Sequence, residues 1–563
     1  MNTSENMFGV TGCSDYSVQK SENVFKFEIK NLQKEAVISW EIPFVDMLYA
    51  WHPTCETKRL SVPGCTESMF SISAPMFCIY NGRKENKYTV ALSETREYIK
   101  LNGTIVEENG CIKTEIIIPA LKCDISFSVL IDTECKSFEK AIDDVRLWWE
   151  SKCGLKSMAA TEKARLPMYS TWYSFHQNIS AKALEEEAER AKAMGFSTII
   201  VDDGWQCDDN NRGYAYCGDW EPSESKFPDM RTHVENVHKI GLSYMLWFSV
   251  PFVGKNSKKY KEFKNMQLYY MEDMDAAVLD PRYKAVREYL VSTYKNALVN
   301  WNLDGFKLDF IDCFINRDNV PFNTKMDCGS VQKAVDMFLF EIKQTLTAIK
   351  PDIMIEFRQR YIGPCVRKYG NILRVVDCPN TYVSNRIGTI DLRLMSGEIA
   401  VHSDMLMWHK DESAENAALQ IINIIFSTMQ FSVKLDTMSD DHKKMLAFWM
   451  DFMSKNKRLL LETPLSADDP QSLYTAASVY GDEQSITAVY NADKCVSVKG
   501  DTVIINGTQE NYVIAETDKD YCIKVKNCMG ETQYRKNICH GISKIPVPTG
   551  GLVELCVKEL QIT

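Results

Sequence analysis

From about residue 165 to 457 the chain repeats one rhythm, an apolar strand-like run followed by a helix-like run, and this rhythm limits the fold more than any other feature. The strand-like runs are MYSTWYS (168–174), STIIVDDGW (197–205), LSYMLWFSV (242–250), GFKLDFI (305–311), IMIEFR (353–358), ILRVVDC (372–378), a poorly defined one near AVHSDML (400–406), and QFSVKLD (430–436). Helical runs such as 181–195 and 329–350 fall between them. Eight strand–helix units in one stretch predict a (β/α)8 TIM barrel more than a doubly wound sheet. No Gly-x-Gly-x-x-Gly follows the early strands, which argues against a dinucleotide fold.

The flanks read differently. Alternating segments at 24–32, 35–43, 95–103 and 114–121, with no strong helix before about 138–152, predict an N-terminal β-sandwich over 1–155. Strand-like segments return at 473–480, 485–491, 501–507, 512–518 and 551–557 and predict a C-terminal antiparallel β-sandwich over 459–563. The barrel is then 156–458, and the fold class is α/β with β domains on both sides. A length of 563 residues suits such a three-part chain.

A net charge of −11 disfavours nucleic acid or an anionic membrane as partner, since both want a basic face. No run of 18 apolar residues appears, so no membrane span is expected. The first residues lack a basic and an apolar region, so no secretory signal is expected. The 19 cysteines are scattered without a Cys-x-x-Cys pair and read as reduced thiols in a cytoplasmic chain. The oligomeric state is open, and a homo-oligomer is compatible with all of this.

Barrel enzymes place their chemistry at the C-terminal ends of the strands. Those ends carry Trp172, Tyr173 and His176; Asp202, Asp203 and Trp205; Trp247; Lys307, Asp309 and Asp312; Glu356, Arg358 and Arg360; Arg374 and Asp377; His402, Asp404 and Trp408; and Lys434 and Asp436. Carboxylates accept hydrogen bonds from sugar hydroxyls, and aromatic faces cover the C–H patches of a sugar ring. A carboxylate pair on different strands suits a glycosidase. The same Asp/Glu set also suits a metal-dependent lyase or hydrolase, so the residues alone leave both open.

The segments VDDGWQ (201–206), DGFKLDF (304–310), ILRVVDCPN (372–380) and HSDML (402–406) resemble, in the right order, the melibiase-type α-galactosidases of glycoside hydrolase family 36 and its clan. The resemblance covers the whole barrel. It implies a retaining exo-α-glycosidase, most simply an α-galactosidase acting on an oligosaccharide or other α-galactoside, without metal or organic cofactor. Related activities of the same clan, such as an α-N-acetylgalactosaminidase or a transglycosylase of the raffinose- or stachyose-synthase type, stay open, as does a sugar-binding protein without catalysis. Carried over by residue, the resemblance makes Asp309 the nucleophile and Asp377 the acid/base. Lys307 would bind hydroxyls and keep Asp309 ionised. Asp202 and Asp203 would hold one edge of the sugar, Trp205, Trp172 and Trp247 would line the pocket, and Arg374 would hold a hydroxyl. Glu356 and Asp404 complete the expected substrate-binding set.

The chain departs from the family pattern in two places. LWFSVPFVG (246–254) stands where an acidic Glu-Pro-Glu stretch follows the strand-3 tryptophan, and IEFRQR (355–360) stands where a Cys and a Gly-rich turn end strand 5. The two arginines there suggest an anionic or modified sugar. Elsewhere plainer readings prevail: Asp436 as a helix cap, Asp391 as a helical partner of Arg393, and Trp148 and Trp149 as packing.

Overall fold

The computed structural model describes residues 7–557 except 55, 57, 58, 60, 61 and 63. Eight parallel strands form the central sheet: β1 (Met168–Ser170), β2 (Thr198–Val201), β3 (Ser243–Ser249), β4 (Gly305–Asp309), β5 (Met354–Arg358), β6 (Ile372–Arg374), β7 (Ala400–His402) and β8 (Gln430–Phe431). Seven run in order and β8 pairs with β1. Bridges between His402 and Thr428 and between Leu406 and Phe431 close the gap between β7 and β8. The expected barrel is therefore present. Its strands are shorter than their apolar runs. MYSTWYS leaves the sheet at Ser170 and turns into a helix at Trp172–Phe175. QFSVKLD leaves after Phe431, and Asp436 sits exposed in a 3₁₀ turn while Ser439 caps the next helix. Among the described residues only a 3₁₀ turn, Val366–Lys368, lies between β5 and β6.

Alternation along the strands fills the barrel in layers. Met168, Ile200, Met245, Met354, Ile372 and Ala400 make an apolar plug at one end. Two residues on, the same faces carry Asp202, Trp247, Glu356, Arg374 and His402, so the next layer is polar. A third step brings Arg358 and Asp404 above them. Strand register thus decides which side chains reach the mouth.

The N-terminal strands form a five-stranded and a six-stranded antiparallel sheet, packed face to face through Phe27, Ile38, Ile116 and Phe127. The helix expected near 138–152 is Phe138–Lys152. The C-terminal strands also form two sheets, of seven and three strands. They are not wholly antiparallel: Gln484–Val489 runs parallel to Asp501–Asn506, and Cys495–Val498 parallel to Tyr512–Thr517. Among the described residues every cysteine is a free thiol, and no helix is long and apolar enough to cross a membrane.

One buried carboxylate joins the three regions. Asp391, on helix Tyr382–Met395, accepts from Arg59 Nη2 at 2.5 Å, Trp51 Nε1 at 3.0 Å and Tyr474 Oη at 2.5 Å. The Arg59 guanidinium also lies 4.8 Å from the Tyr474 ring centroid. The sequence reading paired Asp391 with Arg393. Arg393 instead donates to the carbonyls of Phe426, Leu460 and Thr463, because the two side chains leave the helix in different directions. Both members of the Arg59–Asp391 pair are almost fully buried, so removing Asp391 takes a buried counter-charge from Arg59 and an acceptor from Trp51 and Tyr474. Asp391→Ala is expected to cost about 3–5 kcal/mol, read as a lowered urea midpoint. A loss within about 0.5 kcal/mol, the size of an ordinary surface change, would show that the junction holds little.

Candidate active site

A cavity of about 140 Å³ opens at the C-terminal mouth of the barrel. Asp309 ends β4 and points into it. Its Oδ1 accepts from Arg358 Nε at 2.6 Å, from the Phe310 backbone N–H at 2.8 Å and from Tyr361 Oη at 3.2 Å. Its Oδ2 accepts from Trp247 Nε1 at 3.1 Å. Burial alone would raise the Asp309 pKa, but Arg358 and Lys307 outweigh it and hold the carboxyl well below the usual carboxylate range. The neighbouring Phe310 has φ 65° and lines the cavity. That conformation costs a non-glycine residue energy and is typical of functional sites.

Lys307 lies two residues before Asp309 on the same strand face and bonds Asp202 Oδ2 at 2.6 Å. Burial lowers the lysine pKa, yet Asp202 and Asp309 more than compensate and leave it raised. Asp202 and Asp203 follow β2 in a turn that needs its glycine: Gly204 has φ +111°, and a Cβ there would meet the Gln177 Cα at 2.5 Å. This close approach lets Gln177 donate to Asp203 at 2.6 Å, and Gln206 donates to it at 2.7 Å. Burial pushes Asp203 up to about 6 against those two bonds.

On the other side Asp377 lies in the loop after β6, its side chain 49% exposed. Arg374 Nη1 donates to it at 2.8 Å. Burial favours the neutral acid, Arg374 and Lys307 outweigh burial, and Asp309 opposes them, leaving Asp377 below its ordinary value. Asp404, fully buried, takes the same Arg374 nitrogen at 2.7 Å.

The mouth therefore gathers Asp202, Asp203, Lys307, Asp309, Asp377, Trp172 and Trp247 from the expected set. Four others sit elsewhere. Trp205 is fully buried behind the cavity, against Trp220, Phe248 and Trp301, with its Nε1 donating to the Trp247 carbonyl. Glu356, Arg374 and Asp404 are fully buried beneath the lining rather than on it. Glu356 accepts from Gln430 Nε2 at 2.5 Å and faces Arg374 at 3.4 Å. They share layers with the lining residues Asp202, Trp247 and Arg358, but neighbouring side chains cover them, so they support the site without lining it. The Arg358 guanidinium is committed to Asp309 and, at 3.6 Å, to Asp312, which weakens the case for an anionic sugar.

Sequence reading missed Tyr214, Phe310 and Val376. Tyr214 lies far along the loop after β2 and stacks on Trp247, with ring centroids 6.0 Å apart; a loop residue without periodicity gives no signal. Val376 is one residue before Asp377 and enters the lining only because β6 ends early. Among the described residues no group of three or more His, Cys, Asp or Glu side chains is placed to hold a metal ion.

The chain is similar to α-galactosidases by three comparisons. It is 24% identical over 207 residues to alpha-galactosidase Mel36A of Lactobacillus acidophilus, covering 35% of this chain and 27% of that one. It is 27% identical over 146 residues to alpha-galactosidase 2 of Pediococcus pentosaceus, covering 25% and 20%. The matched region thus spans well under half the length of these curated relatives. Among solved structures, the α-galactosidase from Lactobacillus brevis superposes with a TM-score of 0.66 at 13% identity, covering 96% of this chain and 79% of that one. A variant of the family 36 α-galactosidase AgaA from Geobacillus stearothermophilus, in complex with raffinose, gives 0.67 at 12% identity, covering 96% and 81%. At such identities the likeness establishes the fold. The family model described as Melibiase matches residues 155–462, more than half of the chain and all eight barrel strands, and the chain belongs to the melibiase family.

Proposed function

We propose that the protein is a retaining exo-α-galactosidase that removes a terminal α-linked galactose from an oligosaccharide. The observation that carries this reading is the small cavity with an ionised Asp309 on one side and the half-exposed Asp377 on the other. The raffinose and stachyose bound to structural relatives support the substrate class. The free cysteines support a cytoplasmic location.

The geometry supports a double displacement. Asp309 Oδ2 carries one hydrogen bond, so a lone pair is free to attack the anomeric carbon while Oδ1 stays anchored. Asp377 gives its proton to the departing oxygen. In the glycosyl-enzyme Asp309 is an ester without charge. Asp377 then loses the like charge that raised it, while Arg374 and Lys307 remain. Its pKa falls as its role changes from acid to base, and as a carboxylate it activates water. Asp202 and Asp203 accept from sugar hydroxyls, and Trp172, Trp247 and Tyr214 cover ring C–H groups.

A panel of p-nitrophenyl α-glycosides tests the sugar. Galactoside is expected to react fastest, and a faster N-acetylgalactosaminide or glucoside would redirect the assignment within the clan. Asp309→Gly is expected to lose turnover, and azide should restore it by attacking the exposed anomeric carbon to give a β-galactosyl azide. Full activity in the variant would end the assignment of the nucleophile.

Asp203 links function to stability. Its folded pKa of about 6 exceeds the unfolded value of about 3.9. The native state therefore binds the proton more tightly, and ionisation of Asp203 withdraws stability as pH rises from about 4 to about 6. Asp203→Asn removes this titration. Relative to the parent, the variant should gain about 1–3 kcal/mol between pH 4 and pH 7, following about 1.4 kcal/mol per pKa unit, while losing activity on galactosides. A stability difference that does not change with pH would show that Asp203 stays ionised throughout.

A further inference from the structure

Arg374 offers a single nitrogen, Nη1, to Asp377 Oδ1 at 2.8 Å, Asp404 Oδ1 at 2.7 Å and the Val375 carbonyl at 2.9 Å. Among the described residues Arg374 is the only hydrogen-bond partner of Asp377. Asp404 is fastened much more firmly. Its Oδ2 accepts from Tyr173 Oη at 2.9 Å and the Cys378 backbone N–H at 2.7 Å, and its own N–H donates to Asn385 Oδ1 at 3.0 Å. It is fully buried and does not line the cavity.

A carboxylate paired with an arginine of its own typically loses one to three pKa units, roughly. Asp377, already below its ordinary value, would hold its proton less well still if Arg374 served it alone. We propose that Asp404 is a positioning residue for the acid–base step: by sharing Arg374 it limits how far the guanidinium draws Asp377 toward its ionised form. The proposal rests on the reading of Asp377 as acid/base.

Two effects act in the same direction. Nη1 carries two N–H groups and faces three acceptors, the two carboxylates and the Val375 carbonyl, so the bonds are shared and each is weaker. The Asp404 charge also repels a charge on Asp377 across the same nitrogen. Burial pushes Asp404 up to about 6, with Arg374 opposing, so above that pH its charge is present. The other groups around the pair are Lys307, Asp309, Glu356, Tyr173 and the Cys378 thiol. Asp309 changes charge during turnover, whereas Asp404 stays outside the chemistry. Its contribution is a fixed offset on which the acid-to-base change is superimposed.

The test is the pH profile of kcat/KM on raffinose, a substrate with a poor leaving group. In Asp404→Asn the alkaline limb should move acidward by about one pH unit or more, the low end of the expected range for a full arginine pair, with the acidic limb unchanged. At pH 7 the variant should lose about tenfold or more on raffinose and much less on a dinitrophenyl galactoside, whose leaving group departs unprotonated. Tyr173→Phe leaves Asp404 in place but removes a hydrogen bond that stabilises its anion. It should shift the limb the same way by a smaller amount, and it decides the matter if Asp404→Asn does not fold. An equal loss at every pH with the alkaline limb in place, in whichever of these variants folds, overturns the proposal. Asp377→Ala separates the two readings. If it keeps the parent's alkaline limb, Asp377 is not the acid/base and the proposal falls with that reading. If it loses the limb while Asp404→Asn and Tyr173→Phe do not move theirs, the proposal alone fails.

Discussion

The upper barrel must hold more carboxyls than cations away from bulk water, and the rest of the site follows from how it does so. Asp202, Asp309, Asp312, Glu356, Asp377 and Asp404 converge there on Lys307, Arg358 and Arg374, and Asp203 lies beside them. An unpaired buried charge costs several kcal/mol, roughly, whereas a paired one sits near balance. Each cation therefore bridges. Lys307 bonds Asp202 and faces Asp309, Arg358 joins Asp309 to Asp312, and Arg374 joins Asp377 to Asp404. Carboxyls left without a cation of their own, such as Asp203, respond by shifting toward the neutral acid.

These bridges cross strands, so they depend on register. Trp247, Lys307 and Glu356 are side-by-side partners on β3, β4 and β5. A slip of one residue in β4 would turn Lys307 and Asp309 outward and bring Leu308 into the barrel. The apolar plug of Met168, Ile200, Met245, Met354, Ile372 and Ala400 fixes the register from below, because large side chains there fit one alignment of the inward faces. Core packing at one end thus positions chemistry at the other.

The same register explains what the sequence disclosed and what it hid. The alternation of apolar runs and helical segments was strong enough to show the barrel, and the Lys-x-Asp and Asp-Asp-Gly-Trp segments lead directly to residues that line the cavity. Depth was not legible. A period of two tells which residues point inward but not which of them their neighbours cover, so Glu356, Arg374 and Asp404 read as lining although other side chains cover them. Trp205 misled for another reason: an aromatic beside two cavity-lining aspartates resembles a sugar platform, yet Gly204 turns the chain so that the indole packs outward among Trp220, Phe248 and Trp301. Tyr214 was hidden because its position depends on the path of a long loop. In the flanking domains the edge and fully buried strands, such as Met76–Tyr80, escaped because a continuous apolar run carries no alternation.

The surplus of negative charge also fits the proposed chemistry better than it fits an anionic substrate. An acidic sugar would enter a mouth whose cations are already bridged, and it would need to displace Asp312 or Asp309 from Arg358 to find a partner. A neutral sugar meets no such cost, and it gains when the glycosidic bond breaks. The transition state of glycoside cleavage is oxocarbenium-like, with positive charge growing at the anomeric carbon. Fixed carboxylates near that carbon stabilise it without rearranging, and such preorganised electrostatics is commonly the largest single term in catalysis. The arrangement costs folding energy, because ionised groups such as Asp309 must be held where burial disfavours them. Arg358, Tyr361, Trp247 and the Phe310 N–H offset that cost at Asp309 while leaving Oδ2 with one bond. The departure from the family pattern at the end of β5 therefore need not signal a different sugar. Arg358 takes up the task of keeping Asp309 ionised.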